Sequence, residues 1–230
     1  MEKTIVNLSQ LRQKGVWNFE PYSQVVTGAM AQLGKSRFPV VKLGTLVVEG
    51  TTKRGYSVTG LENVDGIPLL SIRNISAQGI NFNHVRYLSP DDHKKLEATQ
   101  VHKGDVLVSL ITRPGIAAVY QSDEPANIDT HLARLRLTDK IDPAYLAFYL
   151  NSDVGQALIH SLSTGSIQPM LTLTALNDLL VMLPPRDEQK QIVAEAQRLT
   201  EEAGKLSKAA EDCRAEAQKL FGKMFHGTVK

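Results

Sequence analysis

The feature of this sequence that most constrains its fold is a heptad pattern in the C-terminal segment from Asp187 to Met224. Two apolar positions recur in every seven residues, which is the repeat of a coiled-coil helix. The first column holds larger residues and the second holds alanine: Ile192, Leu199, Leu206, Cys213 and Leu220, then Ala196, Ala203, Ala210 and Ala217. At 1.5 Å per residue such a helix extends about 55 Å, too long for burial inside one small domain. The pattern therefore predicts a long helix that pairs with a partner helix.

The alanine column indicates how closely that partner approaches. Alanine at one position of each heptad lets two helix backbones come near the short end of the usual range of about 8 to 10 Å, and it favours a pair of helices over a wider bundle. A helix that lies on its own domain is the alternative interpretation. The length and regularity of the pattern favour a dimerisation or spacer helix.

The cysteine content and the N-terminus indicate the cellular setting. The 230 residues include one cysteine, Cys213, which argues against disulfides and against a cysteine-ligated metal site. The N-terminus has no apolar signal core, and no segment approaches the roughly 18 apolar residues of a membrane span. We therefore expect a cytoplasmic protein without membrane segments.

Short β-rich segments bounded by glycine, proline, asparagine or aspartate occupy the middle of the chain. They include IPLLSIRNI, GDVLVSLI and ARLRL, and they are typical of strands in a compact mixed domain. Helices are predicted for Pro21 to Leu33, Pro143 to Leu150 and Ser152 to Leu162. Ser152 is predicted to be the N-cap of the last of these, and Thr174 to cap a short turn further on.

These patterns predict an α+β protein with three parts. They are a basic N-terminal extension with short helices at residues 1–37, a mixed α/β domain at residues 38–183, and the long coiled-coil helix at residues 184–230. The stretch from Arg12 to Arg54 has seven basic residues and two acidic ones, although the net charge of the whole chain is only +2. This local excess indicates a polyanionic partner, with a merely solvated surface as the alternative.

The sequence offers only weak candidates for catalytic and metal-binding motifs. Asp105 or Pro90-Asp91, with the Glu188-Gln189-Lys190 triplet, is the nuclease candidate, but the triplet lies on the predicted coiled-coil helix. LPPR, ending at Arg186, lacks the polar acceptor and the aromatic residue of an amino-methyltransferase motif, and no glycine-rich cofactor loop is found. His131, which follows Asp129 and Thr130, is interpreted as a polar core residue. We therefore predict neither a catalytic site nor a metal site.

Polar side chains at strand ends and in glycine-bordered turns form a stronger functional signal, because such loops present side chains to a partner. Arginine can bond guanine edges, and asparagine or glutamine can bond adenine edges, while lysine and serine commonly hold phosphates. The candidates for DNA binding are Lys53, Arg54, Arg73, Asn74, Arg113, Ser166 and Gln168.

The order of several segments resembles that of a known family. They are VKLG at Val41 to Gly44, IPLLSIRNI, GDVLVSLI, NIDTHL, DPAYLAFYLNS, TGSIQPMLTLTALNDLLVMLPP and EQKQIV. From Phe38 onward the chain resembles the specificity subunit of Type I restriction-modification systems. The most specific part is Gly165 to Val193, where a GS-x-Q loop, an apolar strand, Pro-Pro and then Glu-Gln at the start of a long helix follow in order.

The resemblance implies a target recognition domain followed by a spacer helix. Members of the family usually carry two such units, each reading one half of a bipartite DNA site, whereas this sequence has one recognition domain and one helix. It resembles a half-length specificity subunit, and we expect two copies to pair their long helices antiparallel as a homodimer. The chain itself would be non-catalytic and would bind no cofactor.

The resemblance also implies partners in a restriction-modification or related phage-defence system. A DNA adenine methyltransferase subunit would bind S-adenosylmethionine and modify double-stranded DNA, and a restriction or translocase subunit is a further implied partner. Pairing of the long helix with the methyltransferase is the alternative to the homodimer. Two other functions stay open: a coiled-coil adaptor that does not read DNA, and a nuclease that acts through Asp105.

Overall fold

A computed structural model of the chain describes residues 24–57, 66–165 and 168–225. The chain divides into two compact units, Met1–Gln189 and Lys190–Lys230. Ser166 and residues 1–23 of the predicted N-terminal extension lie outside the described residues. No helix within the three described ranges is long and apolar enough to cross a membrane.

Short strands and helices alternate along the first unit. The strands are β1 (Val40–Lys42), β2 (Lys53–Arg54), β3 (Ile67–Leu70), β4 (Ile75–Ser76), β5 (Gly79–Ile80), β6 (Arg86–Leu88), β7 (Gln100–Val101), β8 (Val106–Ser109), β9 (Ala117–Val119), β10 (Ala126–Ile128), β11 (Leu132–Leu135) and β12 (Leu180–Met182). The α-helices are α1 (Gln24–Gly34), α2 (Pro90–Lys95), α3 (Pro143–Asn151), α4 (Asp153–Leu162), α5 (Leu173–Asp178) and α6 (Arg186–Phe225). Short 3₁₀ helices occur at Leu43–Leu46, Ile72–Asn74 and Glu97–Thr99.

Two four-stranded sheets form the body of this unit. One has the order β6-β3-β10-β7, in which β3 and β10 are parallel, and the other has the order β2-β11-β8-β9 and is antiparallel. The pairs β1-β12 and β4-β5 are antiparallel and form two-stranded sheets. Strands β10 and β11 are consecutive in the chain but belong to different four-stranded sheets. The link between them therefore joins the two sheets.

The hydrophobic core includes side chains from both four-stranded sheets. Leu70 and Ile128 come from the first sheet and Leu107 and Leu132 from the second, and each is at most 1% exposed. Burial of one such side chain contributes about 1.5 to 3 kcal/mol. The apolar segments that the sequence marks as strands are therefore the ones that hold the two sheets together.

Helix α1 packs against α4 within the first unit. Val26, Ala29 and Leu33 are its buried residues, whereas Val25 and Met30 are 69% and 43% exposed. The sequence predicts that this helix belongs to an extension before the mixed domain. The structure instead puts α1 in the same compact unit as that domain, where it packs against α4.

Of the two helix caps that the sequence predicts, the structure confirms one and contradicts the other. Ser152 accepts a hydrogen bond from the backbone N–H of Gly155 at 3.2 Å, so the predicted N-cap of α4 is confirmed. For α5 the prediction was wrong, because Thr172 rather than Thr174 is the cap. The hydroxyl of Thr172 accepts from the backbone N–H of Ala175 at 3.1 Å, and the helix begins earlier than expected.

The first turn of α6 belongs to the first unit, and Gln189 connects it to the neighbouring loops. This side chain is 0% exposed. Its Oε1 accepts from the backbone N–H of Asp142 at 2.7 Å, and its Nε2 donates to the carbonyls of Lys140 at 3.1 Å and Pro184 at 2.8 Å. One amide thus satisfies three backbone groups that lie outside regular hydrogen-bond ladders. The compact unit therefore extends beyond residue 183, where the sequence suggested a boundary.

The second unit contains the rest of α6, and its heptad columns are exposed from Leu199 onward. Leu199, Leu206 and Leu220 are 51%, 67% and 61% exposed, and Cys213 is exposed as well. The helix has 40 residues, which corresponds to about 60 Å. The predicted long helix is confirmed, and its pairing with another helix stays a prediction. A row of exposed leucines on one helix face is typical of a surface that binds a partner.

Candidate nucleic-acid interface

Strands from both sheets end around residues 129–131, which link β10 to β11. The backbone N–H of Asp129 donates to the carbonyl of Leu70, the last residue of β3, at 2.9 Å. The backbone N–H of Leu110, just after β8, donates to the carbonyl of His131 at 2.8 Å. Because β3 runs parallel to β10 and β8 antiparallel to β11, the loops after β3 and β8 emerge at this same end. Side chains from distant parts of the chain therefore meet here.

Strand β2 reaches the same end because a glycine lets it approach the link closely. The backbone N–H of Gly55 donates to the carbonyl of Leu132 at 3.1 Å. A Cβ atom at Gly55 would lie 2.1 Å from the carbonyl oxygen of Ile128, so any side chain there would push β2 away. Arg54 precedes this glycine, and its Nε donates to the carbonyl of Thr130 at 2.6 Å.

Asp129 supplies a carboxylate at the centre of this end. Its side chain is 7% exposed. Oδ1 accepts from the backbone N–H of His131 at 2.9 Å, while Oδ2 accepts from Nη2 of Arg86 at 3.3 Å and lies 3.1 Å from Nδ1 of His131. A carboxylate that is nearly buried needs such donors, because burying an unpaired charge is costly. Asp129 thereby holds the first residue of β6 and the link in fixed positions.

Two loops lie side by side just beyond β8. The backbone N–H of Thr112 donates to the carbonyl of Pro169 at 3.2 Å, and Nε2 of Gln168 lies 3.4 Å from the hydroxyl of Thr112. Thr112 has a φ of 68°, which β-branched residues rarely adopt, so tertiary contacts must hold this turn. The turn presents Arg113, which is exposed, beside the loop of Gln168. Two residues that the sequence predicted separately are therefore neighbours.

Asn74 has a structural role that differs from the predicted one. It is 2% exposed, and its Oδ1 accepts from the backbone N–H of Ser71 at 3.0 Å. Its Nδ2 donates to the carbonyls of Asn81 at 3.2 Å and Asn83 at 3.3 Å. These bonds close a capping box around the 3₁₀ turn that carries Arg73, which is exposed. Asn74 thus fixes the turn, and Arg73 is the side chain that the turn presents.

Six exposed side chains lie at this end of the two sheets, and we call them the sheet-end surface: Arg54, Arg73, Arg86, Arg113, His131 and Gln168. Because four of these six side chains are arginines, the surface is cationic. Lys53 is exposed, but it precedes Arg54 on β2 and therefore points to the opposite face of the strand. Ser166, the remaining candidate, lies outside the described residues.

Sequence reasoning missed two members of this surface. His131 was interpreted as a core residue, which is wrong because its side chain is 47% exposed. Arg86 was not selected, since it lies in no motif and reaches this end only through the pairing of β6 with β3, opposite Leu69. The sequence feature that could have indicated this site was the group of polar residues 129–131 between two apolar strands.

Asp105, the nuclease candidate, lies at the start of β8, away from this surface. It is 2% exposed, and it accepts hydrogen bonds from Nε and Nη2 of Arg136 at 3.0 and 2.9 Å and from the backbone N–H of His102 at 2.8 Å. The hydrogen bond to Asp105 raises the pKa of Arg136 above its ordinary value. These contacts make Asp105 a structural residue. Across the described ranges, no group of three or more His, Cys, Asp or Glu side chains could hold a metal ion.

The family described as the Type I restriction modification DNA specificity domain matches residues 41–210. The chain belongs to this family. Among its relatives, the type I restriction enzyme EcoBI specificity subunit of Escherichia coli is 28% identical over 170 residues, which cover 72% of this chain and 36% of the relative. The resemblance that the sequence motifs indicated is therefore confirmed.

Solved structures show the same fold for this chain. The HsdS subunit from Thermoanaerobacter tengcongensis has a TM-score of 0.58 at 21% identity, over 96% of this chain and 54% of that one. A chain from a structure of a type I R-M system has a TM-score of 0.62 at 20% identity, over 93% and 53%. The predicted fold class, a mixed α/β domain followed by a long helix, is thus confirmed. This chain spans about half the length of these structures and about a third of the EcoBI subunit.

Proposed function

We propose that this specificity chain is a non-catalytic component that reads duplex DNA with the sheet-end surface. The observation that carries the proposal is the convergence of four arginines, a histidine and a glutamine from separate strands at one end of the two sheets. Duplex DNA is a dense polyanion, and an arginine-rich surface both attracts it and can bond its base edges. Membership in a DNA specificity family supports the same conclusion.

Three residues of this surface have the chemistry and the support expected of base readers. Arg73 and Arg113 offer planar guanidinium groups that suit guanine, and the amide of Gln168 suits adenine. Arg73 stands on a capped turn, and the loops of Arg113 and Gln168 are joined through backbone and side-chain bonds. Residues held in place before binding lose less conformational entropy when the complex forms, which increases affinity.

Replacing Gln168 or Arg73 with alanine should weaken discrimination between the cognate duplex and a scrambled duplex. A side chain that bonds a base edge contributes about 1 to 3 kcal/mol of discrimination. The cognate duplex is first selected from a randomised library, and both affinities are then measured by fluorescence anisotropy at one salt concentration. Gln191→Ala, at an exposed position of α6, is the matched control and should leave both affinities unchanged. Equal weakening on both duplexes would assign the residue to phosphate contact.

We further propose that two copies pair their α6 helices antiparallel. The exposed leucine column and the alanine column support this arrangement, because together they form an apolar stripe that a second copy can cover. A two-fold dimer carries two recognition domains, and it would read an interrupted palindrome as its bipartite target. The length of α6 would then set the number of base pairs between the half-sites.

Deleting one heptad, Ala203 to Ala209, should shorten the preferred gap between half-sites. The deletion keeps the heptad columns in phase and removes about 10 Å of helix, which corresponds to roughly three base pairs of duplex. Selection from a library in which two half-sites are separated by variable spacers measures the preferred gap. An unchanged gap, in a variant that still dimerises, would contradict the role of α6 as a spacer.

The partner that we propose is an adenine methyltransferase, which would bind S-adenosylmethionine and act at the site that this chain recognises. A restriction or translocase subunit would join the same complex. The relatives named as parts of type I restriction enzymes support both partners.

Co-expression with the methyltransferase of the same genome should yield adenine methylation at one bipartite site, detected by methylation-sensitive sequencing. Absence of duplex binding at low salt, even with that methyltransferase present, would favour the coiled-coil adaptor.

A further inference from the structure

The link between the two sheets, residues 129–131, binds the side chains of two arginines and one histidine. Each of these side chains makes one polar contact with the link. Arg54 uses its Nε on the carbonyl of Thr130 at 2.6 Å, and Arg86 uses Nη2 on the carboxylate of Asp129 at 3.3 Å. His131 faces the same carboxylate with Nδ1 at 3.1 Å. Because Asp129 and Thr130 are consecutive, the three bonds anchor the three side chains at one corner. The side chains come from β2, from β6 and from the link itself.

Both arginines keep further donors for a ligand. A guanidinium carries five N–H donors, so four remain on each arginine beyond the bond to the corner. The imidazole of His131 has a second ring nitrogen, Nε2, which donates a hydrogen bond only when both ring nitrogens carry a proton. Arg54 is exposed, Arg86 is 49% exposed and His131 is 47% exposed, so these remaining groups are accessible from solvent. The contacts with the link thus hold the three side chains in place before a ligand binds, while their remaining polar groups stay accessible from solvent.

The charge at this corner favours an anion. Arg54 and Arg86 carry two positive charges against the single negative charge of Asp129, and that carboxylate is 7% exposed and faces its donors. A ligand arriving from solvent therefore meets the cationic groups first. A phosphate fits this arrangement, because its oxygens accept several charge-assisted hydrogen bonds at once from donors that surround it.

We propose that Arg54, Arg86 and His131 together bind one phosphate of the DNA backbone. This inference rests on the proposed DNA recognition and gives this corner a separate task within it. Phosphate contacts fix the register of a protein on the duplex, whereas base contacts specify the sequence. A phosphate bound between strands of the two sheets would position the loops of Arg73, Arg113 and Gln168 over the base edges.

The salt dependence of binding tests whether one phosphate is shared. The full chain is titrated with a duplex of fixed sequence at several salt concentrations, as wild type, Arg54→Gln, Arg86→Gln and the double variant. The slope of log K against log salt changes by about 0.9 for each phosphate contact that is lost. We expect this slope to be smaller by about 0.9 in the double variant, however the change is divided between the two single variants. A total loss near 1.8 would mean two separate phosphates, and an unchanged slope would mean none; either result overturns the shared site.

A second measurement uses inorganic phosphate as the probe and does not depend on DNA. The ring nitrogens of His131 are followed by NMR as the full chain is titrated with phosphate at constant ionic strength. We expect a saturable shift that is lost in the double variant. Arg198→Gln, which removes one positive charge from an exposed ion pair on α6, should leave the shift intact and serves as the charge control.

The two measurements together separate this inference from the proposed function. A saturable phosphate shift without duplex binding would keep the phosphate site and overturn DNA recognition by this surface. Duplex binding with an unchanged salt slope and no phosphate shift would overturn the site and keep DNA recognition. Circular dichroism of each variant confirms that the fold is retained, since the substituted arginines are exposed.

Discussion

Replacing Leu206 with glutamate should convert the proposed dimer into monomers. Leu206 is 67% exposed and lies in the middle of the larger-residue column, with Leu199 and Leu220 exposed on either side. Burial of one leucine at a helix interface contributes about 1.5 to 3 kcal/mol, and a two-fold dimer contains the change twice. The variant should therefore lose about 3 to 6 kcal/mol of association free energy, roughly 10²- to 10⁴-fold in Kd. Light scattering and sedimentation over a range of concentrations measure this loss.

Ala215→Glu is the matched control for Leu206→Glu. It introduces the same carboxylate into α6, at an exposed position outside both heptad columns. We expect this control to dimerise like the wild type. A wild-type chain that is monomeric at micromolar concentration, with Leu206→Glu causing no change, would exclude the homodimer and favour pairing of α6 with the proposed methyltransferase partner.

Replacing Gln189 with alanine should strongly destabilise the first unit. The side chain is 0% exposed, and it satisfies the backbone groups of Asp142, Lys140 and Pro184. Alanine would leave one donor and two acceptors without this partner, and each unsatisfied buried group costs about 1 to 3 kcal/mol. Because the three losses are only partly independent, we expect a total of about 3 to 5 kcal/mol in the free energy of unfolding.

Urea unfolding followed by circular dichroism measures this effect as a lower midpoint at an unchanged slope. Gln191→Ala is the control, because Gln191 lies two residues further along the same helix and is exposed. Its expected change is within about 0.5 kcal/mol. Similar midpoints for both variants would show that water replaces the Gln189 amide and that the first turn of α6 is not held by it.

The features that the sequence predicted well are those that depend on neighbouring residues. The heptad columns of α6 and the Ser152 cap involve contacts within one or two turns of helix, so spacing alone indicates them. The Thr172 cap was missed because Thr172 and Thr174 both lie at the start of the same short helix, and the local sequence pattern does not distinguish them. The order of motifs indicated the family, since it extends over most of the chain.

The candidate site was predicted residue by residue, but its assembly was not. Gln168 and Thr112 are 56 positions apart in the chain and yet lie together, because backbone bonds join their loops. Asn74 looked like a presented polar residue, and it is a buried cap, because the turn folds back onto Asn81 and Asn83. Burial of a short polar side chain depends on which segment covers it, and local pattern does not contain that information.

By itself, the sequence determined a long helix with two apolar columns after a mixed α/β domain, because heptad spacing, caps and strand segments act over a few neighbouring residues. Only the tertiary structure decided which charged side chains share a surface. Arg86 and His131 meet at Asp129 because β10 and β11, although consecutive, belong to different sheets, and because β6 pairs with β3 in one particular register. Such pairing joins residues far apart in the chain, and its register is set by burial of the whole sheet.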